Sequence, residues 1–257
     1  MHPRFDFPVR GLPLPRIRHV AAAQPLSWLK AGWQDLRANP LPSLAYGLLF
    51  ALGGDLIILA ALEHPHLISV AISGFFLVAP LLAAGLYELS RSHGEGEKLL
   101  FIDSLRCFRR NGQSLAFFGL FLGLTMLFWE RVSAVAFALI AIDTPAMASA
   151  YLSDILLNGE HLAFTLTWLL AGGLLALFVF AISVVAVPMM LDHDTDAVTA
   201  ATTSLRAFSQ NLPALLLWAG LIVGLTLFGF ATLLFGLVII MPILGHASWH
   251  AYRDLVE

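Results

Sequence analysis

The stretch Leu212–Trp249, LPALLLWAGLIVGLTLFGFATLLFGLVIIMPILGHASW, decides the fold: 38 residues pass without one Asp, Glu, Lys or Arg. A membrane-crossing helix needs about 20 apolar residues, because the hydrocarbon layer is about 30 Å thick and each helical residue rises about 1.5 Å. As one straight helix the stretch would reach about 57 Å, nearly twice that thickness. It must fold back on itself. The predicted reversal is Phe228-Gly229-Phe230, since glycine accepts backbone angles that other residues resist.

Outward from this stretch, four more apolar blocks have the length of one crossing: Leu41–Leu62, Leu67–Leu89, Ser114–Ile142 and Leu162–Leu191. The 257 residues are 59% apolar and 12% charged, against about 25% charged in a soluble domain. The predicted fold is therefore an all-α membrane protein with six transmembrane helices, one domain over residues 26–257. Residues 1–25 hold Pro3, Pro8, Pro13, Pro15 and Pro25 among four arginines and lack the apolar core of a signal peptide, so they read as a disordered cytoplasmic tail. The lipid bilayer is the implied partner. A net charge of -3 without a cluster of Lys and Arg excludes nucleic-acid binding. Cys107, the single cysteine, excludes an internal disulfide.

Basic residues gather on the cytoplasmic side of bilayers. With alternate segments assigned to that side, 13 of the 14 Lys and Arg residues fall there and Arg131 alone falls opposite. Both termini are thus expected in the cytoplasm. Trp28, Trp33, Trp129 and Trp249 lie near predicted span ends, where amphipathic rings favour the interface.

A spacing of three apolar positions followed by Asn occurs three times, each time before a crossing that starts on the cytoplasmic side. The copies are Leu29-Trp33-Leu36-Asn39, Phe101-Leu105-Phe108-Asn111 and Ala201-Leu205-Phe208-Asn211. Positions i, i+4 and i+7 form one helical stripe, so each copy predicts an amphipathic helix lying on the membrane surface. Each Asn suits the N-cap of the following span. Pro80, Pro188 and Pro242 then fall near the end of each unit's second crossing. The predicted plan is three repeats of cytoplasmic amphipathic helix, span, span.

An ionisable residue within a span marks a functional site or a structural ion pair, because charge at the bilayer centre costs at least about 2.5 kcal/mol. Asp55, after Gly53-Gly54, lies about 20 Å into the first crossing, and Arg131 about 27 Å into the third. The two form a candidate intramembrane polar site, either an ion or proton site or a plain ion pair; Arg131 could also join its neighbour Glu130. His246 and His250 are one turn apart on the last helix, a spacing that two metal ligands could use. With His193 they are the candidate metal ligands, although two ligands do not make a site and Ala247 stands where a zincin pattern needs glutamate. No phosphate-cradling glycine loop, nucleophile elbow or CxxC pair is present. No cofactor is implied.

Several motifs carry a family resemblance. They include Asp35-Leu36-Arg37-Ala38-Asn39-Pro40, Gly85-Leu86-Tyr87-Glu88-Leu89-Ser90-Arg91, Ser204-Leu205-Arg206 and Pro242-Ile243-Leu244-Gly245-His246-Ala247. With these the chain resembles, over roughly residues 24 to 255, the bacterial integral membrane family called domain of unknown function 2189. The resemblance implies an inner-membrane protein attached to respiratory-chain biology. It implies no particular activity.

Two functions compete. The first is a non-enzymatic accessory or scaffold component, packed beside partner proteins of a membrane complex. The alternative is a small-molecule or ion transporter or channel with Asp55 as its polar element. Transporters place several polar groups at the midplane on interrupted helices, and one candidate is counted here. That favours the scaffold.

Overall fold

Helix α1, Gln24–Ala38, has Pro25 in its first turn, where a missing N–H costs nothing. It stops at Asn39, because Pro40 disfavours helical backbone in the residue before it, and α2, Pro40–Glu63, leaves in a new direction. The computed structural model describes residues 15–63, 83–140 and 162–257. The chain continues through α3, residues 83–94, then α4, Phe101–Ser104, with a 3-10 turn over Leu105–Arg109, and α5, Gly112–Ile140. Next come α6, Leu162–Ser183, α7, Ala186–Asp192, α8, Ala197–Gln210, α9, Leu212–Ala231, and α10, Leu237–Leu255. Among the described residues no strand forms beyond an isolated bridge between Ile17 and Val256.

Three segments in this set are long and apolar enough to cross a membrane: Gly112–Ala136, Leu162–Asp192 and Leu212–Ala231. Most of the predicted second crossing, the outer segment Met147–Leu157 and residues 1–14 of the predicted tail lie outside the described residues. Residues 15–25 of that tail are described, and they pack. Arg18 donates its backbone N–H to the Leu255 carbonyl and Glu257 donates to that of Arg16, so the two ends of the chain run side by side.

The core is concentrated at one end of the helices. Trp28, Val185, Met190, Leu215, Trp218 and Leu255 are fully buried there. Further along α5, α6 and α9, residues such as Leu124, Leu170 and Leu227 face outward uncovered. Apolar side chains pointing away from the protein over a span's length are what a lipid solvent permits.

Two sequence expectations need correction. The reversal falls at residues 232–236, not at Phe228–Phe230, and the residues with positive φ are Leu233 and Leu234 at 52° and 67°. Thr232 fixes the turn: its Oγ1 donates to the Gly229 carbonyl and accepts from the Gly236 N–H at 2.9 Å. Gly229 serves close approach instead, since a Cβ there would stand 2.4 Å from the Leu237 side chain.

Asn211 is not the side-chain cap that the sequence predicts. Asn211 Oδ1 accepts from the Val20 N–H and its Nδ2 donates to the Arg18 carbonyl, while Asn111 Nδ2 donates to the Thr195 carbonyl. Main-chain carbonyls of Asn39, Asn111 and Asn211 begin each new helix by accepting from Ser43, Leu115 and Leu215. The side chains tie distant segments to the junctions.

The face that packs on the protein is set one residue away from the apolar stripe that the sequence assigns to the membrane surface. Buried positions are Trp28, Gly32 and Asp35 before Asn39, Ser104 and Cys107 before Asn111, and Ala200, Ser204 and Ala207 before Asn211. The predicted apolar stripe lies at its flank, with Trp33 and Leu205 exposed and Leu36 buried. One residue is about 100° of helical rotation, so one face meets the spans and the adjacent face carries the apolar side chains.

Small residues make the buried face work. A Cβ on Gly32 would lie 2.5 Å from the Ile243 carbonyl oxygen. Ser204 goes further and enters the neighbouring helix. Its Oγ donates to the Ala181 carbonyl at 2.8 Å and accepts from the Val185 N–H at 3.1 Å, completing an i, i+4 pair that the backbone leaves open where α6 ends and α7 begins.

Candidate functional site

The polar residues that the fold brings together are Asp35 on α1, Ser43 on α2, Ser90 and His93 on α3, and His246 and His250 on α10. Asp35 faces inward because it is seven residues after Trp28 and three after Gly32, on the buried stripe. Its carboxylate is 6% exposed. Oδ1 accepts from His93 Nδ1 at 2.8 Å; Oδ2 accepts from Ser90 Oγ at 2.6 Å and from His250 Nε2 at 2.9 Å. Burial by itself would raise the pKa of this carboxyl. The hydrogen bonds from His250 and Ser90, followed by the charge of His250 and the hydrogen bond from His93, outweigh burial and hold it below the usual value of 3.8.

Behind Asp35 the chain of contacts continues inward. Ser90 Oγ lies 2.7 Å from His246 Nδ1, and His246 Nε2 lies 2.9 Å from Ser43 Oγ, which donates to the Asn39 carbonyl at 2.7 Å. His246 is fully buried. From Asn39 to Asp35 there are four contacts, and a neutral imidazole with an ionised carboxylate supplies three hydrogens: two hydroxyl and one ring N–H. One further proton would complete all four.

Its order differs from that of a nucleophilic triad, in which histidine stands between serine and the carboxylate. Here Ser90 stands between His246 and Asp35. The serine hydroxyl donates to the carboxylate at 2.6 Å, so the ring and the carboxylate meet through Ser90 rather than directly.

A second cluster flanks the first. Glu88, also 6% exposed, takes Arg91 at 2.8 Å and Arg110 at 2.6 Å, linking α3 to the junction before α5. Cys107 sits nearby; burial, then the Glu88 carboxylate, pushes its thiol up to about 12. At neutral pH it stays protonated, an inert buried thiol.

Of the residues singled out in the sequence, His246 and His250 join the site with different partners, the first between two serines and the second on Asp35. His193 lies apart, 3.5 Å from Asp192. Among the described residues no group of three or more His, Cys, Asp or Glu side chains is arranged to hold a metal ion, so the predicted ligand set does not assemble. Asp55 is exposed on α2. Arg131 lies against the Glu130 carboxylate, at an angle too poor for a hydrogen bond to Oε2, and no ion pair with Asp55 forms among the described residues. Asp35, Ser43, Ser90 and His93 were not singled out. The signal for Asp35 is its place four residues before Asn39, the slot held by Cys107 and Ala207 in the other two copies. A carboxylate in a slot otherwise occupied by small residues demands partners.

The fold and its buried polar layer define an all-helical integral membrane protein. Residues 67–192 match a family model described as "Predicted integral membrane protein (DUF2189)", the family that the motifs resemble. Comparison with curated proteins and with solved structures gave no match.

Proposed function

We propose that this chain is a non-enzymatic accessory or scaffold component of a larger complex in the bacterial inner membrane. In this reading it has six spans in three units of surface helix, span, span, with both termini in the cytoplasm. The observation that carries the reading is the closed polar layer at one end of the helices. Asp35, Ser43, Ser90, His246 and Asn211 direct their polar atoms at one another and at backbone groups rather than into an open path. Such buried hydrogen-bonded networks rigidify a fold. A rigid body with uncovered apolar helix faces suits lateral packing against membrane partners. Asp55 is absent from the described lining of the large cavity treated below, so the geometry adds no support to the transporter alternative.

Gentle extraction from the native membrane, followed by sizing and identification of co-purifying chains, tests the proposal. A defined partner in fixed stoichiometry is expected. Recovery of this 27.9 kDa chain alone or only with itself would overturn it.

A further inference from the structure

Between α5, α6, α9 and α10 lies a cavity of about 740 Å³, with no charged side chain among its described lining residues. Pockets of about 300–1,000 Å³ hold whole small ligands. The hydroxyls inside are mostly committed to their own helices: Thr125 donates to the Phe121 carbonyl at 2.9 Å, Ser183 to that of Val179 at 2.6 Å, and Ser248 to that of Leu244 at 2.8 Å. Thr226 differs. It lines the cavity, is half-buried, and makes no hydrogen bond among the described residues.

Water is a poor occupant, because each buried water needs two to four polar partners. Leaving the space empty forfeits the dispersion contacts of its lining. The surrounding medium offers a better one. The cavity is bounded by the three segments able to cross a membrane, so it lies at bilayer depth, beside lipid chains.

The two ends of the cavity differ. Thr125 and Thr226 are 14 and 15 residues past Asn111 and Asn211, about 21 and 22 Å along their helices, and Trp129 stacks on Trp168 at 5.9 Å near the same end. At the opposite end Val184, Val187 and Leu244 form an apolar, nearly closed floor. We propose that the cavity binds one acyl chain of a glycerophospholipid, with its ester carbonyl accepting from Thr226 Oγ1 and the chain running down to Val184, Val187 and Leu244. The tryptophan pair stands at the headgroup end. This site is independent of the scaffold reading: it depends on lipid chemistry within a single chain, and no partner protein enters its test.

Delipidated full-length protein in detergent is titrated with dioleoyl phosphatidylethanolamine and with its ether-linked counterpart, which has the same chains and head but no carbonyls. Bound lipid is counted by native mass spectrometry. The wild type should hold the ester lipid about fivefold more tightly, the scale of one hydrogen bond. Thr226→Val should lose that preference and bind the ether lipid as the wild type does. Gly173 lines the cavity and a Cβ there meets nothing within 4 Å, so Gly173→Leu should fill the space and weaken retention of both lipids. Ala176→Leu, one turn nearer the floor on the same helix, gives the same test if the first variant folds poorly. Equal binding of ester and ether lipids by the wild type overturns the proposal, as does unchanged retention by a folded cavity-filling variant.

Discussion

His250 Nε2 donates to Asp35 Oδ2 at 2.9 Å, joining the last helix to the first across 215 residues of sequence. With His93 on the other oxygen and Ser90 beside His250, one carboxylate gathers α1, α3 and α10. Asp35→Asn keeps the shape but removes the charge and one acceptor. A loss of about 3 kcal/mol is expected, since removing one partner of a buried pair strands the rest. Thermal unfolding in detergent measures it.

The same carboxylate sets an acid limit. Its folded pKa lies below 3.8, so the stability it contributes is fully present above about pH 3.8 and is lost as pH falls through the lower folded value. Unfolding of the wild type should therefore show an acid-dependent loss starting near pH 4 that Asp35→Asn lacks. Parallel pH profiles for the two proteins would remove Asp35 from that role.

The three described segments able to cross a membrane were legible because a lipid solvent leaves a length signature of about 20 apolar residues. The asparagine junctions were legible for a related reason: Asn39, Asn111 and Asn211 recur at fixed distance from apolar neighbours, whatever their side chains bond. The site was not. Its six residues come from three separated stretches, 35–43, 90–93 and 246–250, and no local spacing joins one stretch to another. The one-residue displacement of the buried stripe was hidden too, because surface helices in a membrane have two apolar-tolerant faces. Hydrophobicity marks the lipid face, while Gly32, Ser104 and Ser204 mark the protein face through small size.

Two glycines should respond to alanine with opposite signs. Gly32→Ala drives a Cβ to 2.5 Å from the Ile243 carbonyl and 2.8 Å from the Ala247 nitrogen, backbone atoms that cannot swing aside. A loss of about 1–3 kcal/mol is expected from this overpacking. Gly173→Ala meets open space in mid-helix and should gain up to about 1 kcal/mol from helix propensity. Unfolding midpoints that move together would contradict the packing at α1.

Orientation follows from the distribution of Lys and Arg. Reporter fusions after Leu62, Ser92, Asn158 and Asp194 should read outside, inside, outside, inside. On the surface helices, cysteines introduced at Lys30 and Arg109, both exposed, should react with a water-soluble maleimide, and one at the fully buried Ala207 should not. Uniform labelling would mean that these helices do not rest on the spans.

Ser204 offers the sharpest test of how a surface helix is attached. In the folded chain its hydroxyl is the link between the Ala181 carbonyl and the Val185 N–H, at a point where α6 stops and two residues separate it from α7. Ser204→Ala removes the link and leaves two buried backbone groups facing a methyl. Each unmet group costs about 1–3 kcal/mol, unless the helix closes the gap with its own i, i+4 bond. Closure would carry α7, and with it the fully buried Met190, into a new position against α8. The expected result is a loss of about 2 kcal/mol, together with faster hydrogen exchange at the Val185 amide. Ser204→Thr keeps the hydroxyl, so it should retain Val185 protection even if its extra methyl lowers the midpoint. Unchanged Val185 protection in Ser204→Ala would show that the hydroxyl does not hold the break open.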